Sequence, residues 1–235
     1  MEEISLMKQK KAFYTEIAYV FGILTLALGT AMMERADFGM SMVVAPAYLF
    51  YLKLSQYFSF LTFGMMEYIL QAVLILLLSI TLRKFKISYL FSFVTAVLYG
   101  LTLDLALTAV NAIPFDGMIA RTVFYLLGMV TSSVGVAFYF HTYISPAAYE
   151  LIVSEISKSF KLNTTKVKTV YDCASCLISI ILSFSFFGFM HFEGIKLGTV
   201  FCALINGWLI GRISKLMEKH LDFKDALKRR NGDSL

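Results

Sequence analysis

The sequence predicts an all-α, polytopic membrane protein with six transmembrane helices, arranged as two inverted-topology repeats of three. Three observations lead to this fold class. Of the 235 residues, 58% are hydrophobic and only 16% are charged, whereas a soluble domain has about 25% charged residues. Six long apolar stretches follow one another, each long enough for the roughly 20 residues of a spanning helix. Two proline motifs recur at equivalent places, which indicates an internal repeat.

The six apolar stretches are predicted to be the spanning helices, separated by short polar breaks. The first follows a basic segment, as a secretory signal would, but it lacks an Ala-x-Ala-like cleavage site and is therefore predicted to be a retained span. The stretches lie at about 13–33, 58–82, 87–107, 118–140, 170–190 and 196–215.

The basic residues predict the orientation of the spans. If the N-terminus is inside, 17 of the 21 lysines and arginines fall on the cytoplasmic side, and only Arg35, Lys53, Arg121 and Lys196 fall outside. This bias follows the positive-inside rule and predicts that both termini are cytoplasmic. It also accounts for the net charge of +5 without a nucleic-acid partner.

The repeat is read from Ala45-Pro46-Ala47-Tyr48 and Ser145-Pro146-Ala147-Ala148-Tyr149. Each proline is predicted to begin a short, non-spanning helix that follows one span and precedes two more. Since three spans is an odd number, the second half must be inverted, as in many secondary transporters. Two roles are open for Gly39, Pro46 and Pro146. They are either gating elements near a ligand or residues that only mark where the chain turns and a short helix begins.

We treat residues 1–235 as a single membrane domain with a first repeat at about 13–110 and a second at about 118–215. Residues 216–235 are predicted to continue the sixth span as a cytoplasmic helix. The helix after Pro46 is apolar on every face, so it should be buried or dip into lipid. The helix after Pro146 is amphipathic, which is typical of the inner interface.

Glu67 is the clearest candidate for function, because a carboxyl group within a span is costly unless it has a partner or a task. Gln71 lies one turn along the same face. Glu67 either takes up a proton or binds a cation or solute donor, or it is a structural partner of Arg121. The hypothesis predicts a polar cavity at mid-depth lined by Glu67, Gln71, Asp104 and Asn206.

Asp172 is the approximate counterpart of Glu67 in the second half, although its distance from the proline differs by five residues. Its alternative is a first-turn acid stabilised by the helix dipole. Asp104, near the outer end of the third span, either belongs to the pathway or pairs with Arg121. Asn206 offers both a donor and an acceptor for a ligand contact.

Catalytic and metal sites have little support in the sequence. The Cys173-x-x-Cys176 pair lies inside an apolar stretch with no second pair, so core packing is favoured over zinc. No P-loop, H-E-x-x-H or G-x-S-x-G motif occurs in a suitable context. We therefore expect neither an enzyme nor a metal site nor a cofactor.

The order of the motifs resembles the YczE/YyaS/YitT-type family of bacterial membrane proteins over roughly residues 20–215. The resemblance implies a six-span protein of the bacterial inner (plasma) membrane, in a family whose activity is poorly defined. Two positions depart from the family pattern: the second proline motif lacks its preceding glycine, and Phe91-Ser92 replaces Gly-Thr. The matching segments are Phe38 to Pro46, Gly64, Gly100, Asp104, Ser133 to Phe140, Ser145-Pro146, Lys168 to Asp172, and Gly198 to Gly207.

The leading functional hypothesis is a permease for a small solute, with proton or ion coupling through Glu67 and Asp172. The alternative is a non-transporting membrane protein that binds a ligand or acts as an accessory or sensor. The expected partners are the lipid bilayer and an unidentified solute, and the sequence leaves a homo-oligomer open.

Overall fold

The computed structural model describes residues 11–114, 117–188 and 195–226. Within these ranges the chain forms eight α-helices and two short β-strands. The elements are β1 (Lys11–Tyr14), α1 (Thr15–Ala36), α2 (Ala45–Leu54), α3 (Phe63–Leu82), α4 (Ile87–Asn111), α5 (Met118–Phe140), α6 (Ala148–Phe160), α7 (Thr164–Phe187), α8 (Leu197–His220) and β2 (Leu221–Lys224).

Six of these helices (α1, α3, α4, α5, α7 and α8) are long and apolar enough to cross a membrane. Their outward faces carry large apolar side chains, and Leu105, Ile119 and Leu204 are 73%, 82% and 66% exposed. A continuous apolar surface of this kind is stable against lipid rather than water. The predicted all-helical, multi-pass class with six candidate spans is therefore confirmed.

Local capping explains why two helices begin away from their predicted positions. The side chain of Thr62 accepts a hydrogen bond from the Met65 amide at 3.1 Å, so α3 begins at Phe63 rather than near residue 58. Asn163 Oδ1 accepts from the Thr165 amide at 2.9 Å, so α7 begins at Thr164 rather than near residue 170. Each cap satisfies amide groups that a helix start leaves free.

The long helices pack in pairs, with α1 along α5, α3 along α4 and α7 along α8. Helix α1 also contacts α4, and α5 contacts α8. The two short helices join the halves of the chain, because α2 contacts both α3 and α7, and α6 contacts both α7 and α3. An extensive buried apolar cluster contains residues of all six long helices and of both short ones.

Glycines bring α1 and α5 into close contact at two levels. A Cβ atom on Gly29 would lie 2.6 Å from the carbonyl oxygen of Gly128, and one on Gly135 would lie 2.8 Å from that of Gly22. Neither distance is compatible with a side chain. Because Gly22 faces Gly135 and Gly29 faces Gly128, the two helices run antiparallel.

The short helices differ from expectation in one half of the chain. Pro46 is the second residue of α2, as predicted, but α6 begins at Ala148, two residues after Pro146. The carbonyl groups before α6 are bonded from α4: Thr95 donates to the Ser145 carbonyl at 2.8 Å, and Ser92 donates to that of Pro146. The first six residues of α6, Ala148 through Val153, are all buried. It therefore packs against other helices of the bundle along this part of its length.

The predicted helical tail is wrong beyond His220, where the chain turns into β2 and pairs in parallel with β1. Aromatic packing holds this strand: the ring of Phe223 stacks on His141 with centroids 4.5 Å apart and meets Phe13 edge-on at 5.9 Å. The strand ties the end of α8 to the start of α1. Residues 227–235 of the predicted tail lie outside the described part of the chain.

Candidate functional site

A vestibule of about 750 Å³ enters the bundle at one end. It lies where α5 and α8 end and where α6 and α7 begin, so elements of the second half form most of its wall. Polar and aromatic side chains dominate the lining. They include Tyr139, His141, Tyr143, Glu150, Ser154, Glu155, Lys158, Lys168, Ser214 and Glu218, with Gly207 and Gly211 between them.

A second, much smaller space, the central cavity, lies deeper in the bundle. Its volume of about 20 Å³ is enough for roughly one water molecule. Glu150 and Lys168 line both the vestibule and the central cavity, so they separate the two spaces. The other polar residues around the cavity are Thr30, Ser41, Gln71, Tyr99, Ser132, Tyr149 and Asn206.

Glu67 and Gln71 on α3 both hold the first turn of α6. The Tyr149 hydroxyl donates to Glu67 Oε2 at 2.5 Å, and the Ala148 amide donates to Gln71 Oε1 at 2.9 Å. Both α3 side chains are fully buried. Their remaining polar atoms, Glu67 Oε1 and Gln71 Nε2, have no hydrogen-bond partner among the residues that the structure describes. Each is a buried polar atom without a partner, which native structures rarely contain without a reason.

Lys168 and Asp172 form an ion pair one turn apart on α7. Lys168 Nζ lies 2.9 Å from Asp172 Oδ1, and both side chains are buried. In the described part of the chain, Asp172 Oδ2 has no hydrogen-bond partner. A buried pair of this kind compensates two charges that would otherwise be costly in the bundle interior.

Glu150 lies in the first turn of α6 and faces this ion pair. It is only 2% exposed, and its Oε2 atom is without a hydrogen-bond partner in the described ranges. Burial raises the pKa of Glu150, whereas the nearby Lys168 ammonium group lowers it. Glu150 is therefore a carboxyl group that can take up either a proton or a cation.

Asn206 completes the site from α8. Its Oδ1 atom lies 2.8 Å from the Ser133 hydroxyl on α5, and the side chain borders the central cavity. Across the cavity, Thr30 and Tyr99 are hydrogen-bonded at 3.1 Å. We call the buried polar residues around the cavity the polar cluster, which consists of Glu67, Gln71, Tyr149, Glu150, Lys168, Asp172 and Asn206.

Asp104 and Arg121 do not join the polar cluster and do not pair with each other. Asp104 accepts hydrogen bonds from the Thr62 hydroxyl at 2.7 Å and from the Gly64 amide at 2.9 Å. It therefore supports the start of α3, at the opposite end of the bundle from the vestibule. The predicted cavity lining is corrected accordingly: Gln71 and Asn206 border the cavity, Glu67 lies behind Tyr149, and Asp104 lies elsewhere.

Arg121 belongs to a partly exposed group of ion pairs at that opposite end. Its guanidinium group lies 2.9 Å from Asp37 Oδ2, and Lys196 Nζ lies 2.5 Å from Asp37 Oδ1. Arg121 is thus the partner of Asp37 and not of Glu67. We call these three residues the Asp37 network.

The glycine and proline candidates lie on different elements. Gly39 has a φ of +109° and packs against Lys196 and Thr199, so it belongs beside the Asp37 network. Pro46 is buried within α2. Pro146 lines the vestibule just before α6.

A model of a protein family of unknown function, DUF6198, matches residues 13–215 of the chain. The chain belongs to this family. No curated protein and no solved structure matches it significantly. Membership in DUF6198 supports a fold that extends over nearly the whole chain, and the site has to be interpreted from its own chemistry.

The sequence reasoning missed Tyr149, Glu150 and Lys168. The amphipathic pattern after Pro146 puts Glu150 on the polar face of an interfacial helix, and the positive-inside rule treats Lys168 as one of the 17 cytoplasmic basic residues. The available signal was the spacing of Lys168 and Asp172, which are four residues apart and can pair on one helical face. No comparable pattern identifies Glu150, because its burial depends on how α6 packs. Among the described residues, no group of three or more His, Cys, Asp or Glu side chains is arranged to hold a metal ion.

Proposed function

We propose that this DUF6198 protein is a permease for a small solute. One observation carries the proposal: the vestibule ends at two buried charged residues, Glu150 and Lys168, which also line the central cavity. A volume of about 750 Å³ is within the range of small-molecule sites. Ionisable groups buried in a membrane bundle are costly and commonly belong to solute or ion pathways.

The helix contacts support an inverted repeat. If α1 to α4 are exchanged with α5 to α8, the main contacts map onto one another: α3–α4 onto α7–α8, α1–α4 onto α5–α8, and α2–α7 onto α6–α3. The glycine contacts between α1 and α5 map in the same way. An inverted repeat provides two related conformations, each open to a different side.

The repeat also supports a correspondence between Glu67 and Asp172. Gly100 on α4 packs against Gly64 on α3, and Gly207 on α8 packs against Thr169 on α7. Glu67 and Asp172 each lie three residues beyond the packed residue of their helix. This register relates the two carboxyl groups more closely than their distances from the prolines, which differ between the halves. We propose that both carboxyl groups contribute to coupling with protons or ions.

We further propose that the protein resides in the bacterial inner membrane with both termini in the cytoplasm. The positive-inside bias supports this orientation, and the resemblance to YczE/YyaS/YitT-type proteins supports the location. In this orientation the vestibule faces the cytoplasm and the Asp37 network lies at the outer end. We propose no catalytic activity.

The experiment is a thermal-unfolding screen of the purified protein against small metabolites at several pH values, comparing wild type with Gly211→Trp. Gly211 lines the vestibule, and a Cβ atom there would meet no other atom within 4 Å, so the indole should fill the vestibule without disturbing the fold. Leu204→Trp, on the lipid-facing surface, is the matched control.

A compound that stabilises the wild type and Leu204→Trp, but not Gly211→Trp, is then tested for flux in proteoliposomes. Flux that Gly211→Trp abolishes supports a permease. The proposal fails if no compound stabilises the wild type at any pH, or if stabilisation is the same in Gly211→Trp.

A non-transporting ligand-binding, accessory or sensor protein is the second candidate. The observation that favours it is that the vestibule enters the bundle at the end opposite the Asp37 network. Binding that depends on Gly211, without flux in proteoliposomes, would select this alternative.

A further inference from the structure

Glu150 is the carboxyl residue of the polar cluster that lines the vestibule. Its Oε2 atom accepts no hydrogen bond from the described residues. Its neighbours are already engaged. Lys168 is paired with Asp172 at 2.9 Å, and Glu67 receives the hydroxyl group of Tyr149 at 2.5 Å. A solute that reaches the end of the vestibule therefore borders Glu150, whose buried Oε2 atom has no donor among the described residues.

The charges of the polar cluster do not balance. Three carboxyl groups, those of Glu67, Glu150 and Asp172, share a single buried ammonium group, that of Lys168. Three buried tyrosines (Tyr99, Tyr139 and Tyr149) carry no positive charge that could compensate these carboxyl groups. When its acids are ionised, the cluster lacks positive charge, and burial makes the missing countercharge costly. A cationic ligand would supply it.

The dimensions indicate what kind of cation fits. The central cavity of about 20 Å³ admits roughly one water-sized group, which an ammonium head group matches, whereas the vestibule of about 750 Å³ has room for an organic body. Tyr139 and Tyr143 line the vestibule, and aromatic rings attract cations.

We propose that the vestibule receives a small organic solute with a protonated amine, which donates to Oε2 of Glu150. This inference rests on the proposed function and names its substrate class. At the buried end of the vestibule an anionic solute would meet the Glu150 carboxylate, and the Lys168 ammonium group there is already paired with Asp172. A proton and the amine compete for the same carboxyl group, so each displaces the other.

The test uses the purified full-length protein and three probes with the same hydroxymethyl group: ethanolamine (cation), ethylene glycol (neutral) and glycolate (anion). Longer primary amines of three to six carbons extend the cationic series, and sodium and potassium chloride at equal ionic strength are the inorganic controls. We expect thermal stabilisation by the amines alone, and a weaker effect as the pH is lowered because protonated Glu150 cannot pair with an ammonium group.

Glu150→Gln should weaken the apparent affinity for the amines about 10- to 100-fold, the usual effect of losing one charged hydrogen bond. Glu218→Gln is the control, because it removes one negative charge from the vestibule lining but not from its buried end. If Glu150→Gln does not fold, the pH dependence in the wild type still decides the question.

The inference is overturned if no amine stabilises the wild type, if the salts are as effective as the amines, or if Glu150→Gln retains full affinity. If glycolate or ethylene glycol stabilises the protein and Gly211→Trp abolishes this effect, the proposed amine specificity is overturned but the proposed permease function is not. Amine binding without flux in proteoliposomes would retain the amine site and reject the permease.

Discussion

The hydroxyl group of Tyr149 donates a 2.5 Å hydrogen bond to Oε2 of Glu67, which joins the short helix of the second half to a spanning helix of the first. A second bond, from the Ala148 amide to Gln71 Oε1 at 2.9 Å, lies beside it. The position of α6, and with it the direction of Glu150, is therefore fixed by α3. This explains how a buried carboxyl group on a spanning helix serves the structure.

Tyr149→Phe should lower the thermal stability, because it leaves the buried Glu67 carboxyl group without its donor. A cost of about 1–3 kcal/mol is expected for an unsatisfied buried group. The unfolding midpoint in detergent measures it, with Tyr57→Phe on the exposed surface as the control. In a Glu67→Gln background the cost should be smaller; equal costs in both backgrounds would show that the two residues are not coupled.

Lys168→Met should destabilise the protein strongly, by about 3–5 kcal/mol, because it leaves Asp172 as an unpaired buried charge. The double variant Lys168→Met/Asp172→Leu should regain most of the loss, since it removes both charges together. Thermal unfolding gives both values. Lys166→Met, at an exposed position on the same helix, should have little effect. A double variant no more stable than Lys168→Met would contradict the pairing.

Glu150→Gln should stabilise the unliganded protein at pH 8 and have a diminishing effect toward pH 4. Burial raises the pKa of Glu150 above its ordinary value of 4.5, so protonation favours the folded state. The stability that Glu150 contributes is complete below the unfolded-state pKa and is lost as the pH rises through the folded-state pKa. Glutamine imitates the protonated form at every pH.

Unfolding midpoints of the wild type and Glu150→Gln across this pH range test whether the stability difference grows with pH, with Glu218→Gln as the control. A difference that is constant with pH would mean that the titration of Glu150 is not linked to folding.

Asp104→Ala should destabilise the protein by about 1–2 kcal/mol, the usual cost of a lost helix cap, and should leave solute binding unchanged. The reason is that Asp104 accepts from Gly64 and Thr62 at the start of α3 and lies away from the vestibule. Asp104→Asn retains an acceptor and should recover part of the loss. If Asp104→Ala instead abolishes solute binding without changing the stability, Asp104 belongs to the solute pathway.

The class of this protein follows from its amino-acid composition and pattern alone. Apolar length and composition are local properties, so six spanning helices and the recurring proline segments were predictable, as was the burial of Glu67 and Gln71 on one face of a helix. Glu67, Gln71, Asp172 and Asn206 were also identified individually, because a polar group within a span needs a partner wherever the helix lies.

Which of these polar groups contact one another depends on the tertiary structure. Helix α6 has an amphipathic sequence that is equally suited to a membrane surface, and its packing against α3 and α7 turned Glu150 inward. Asp104 could have paired with Arg121, but the close packing of Gly64 on Gly100 places it at the start of α3 instead. The strand formed by Leu221–Lys224 depends on the N-terminal segment that lies beside it. Pairing across the bundle is set by three-dimensional proximity, which residue types and spacing along one chain do not specify.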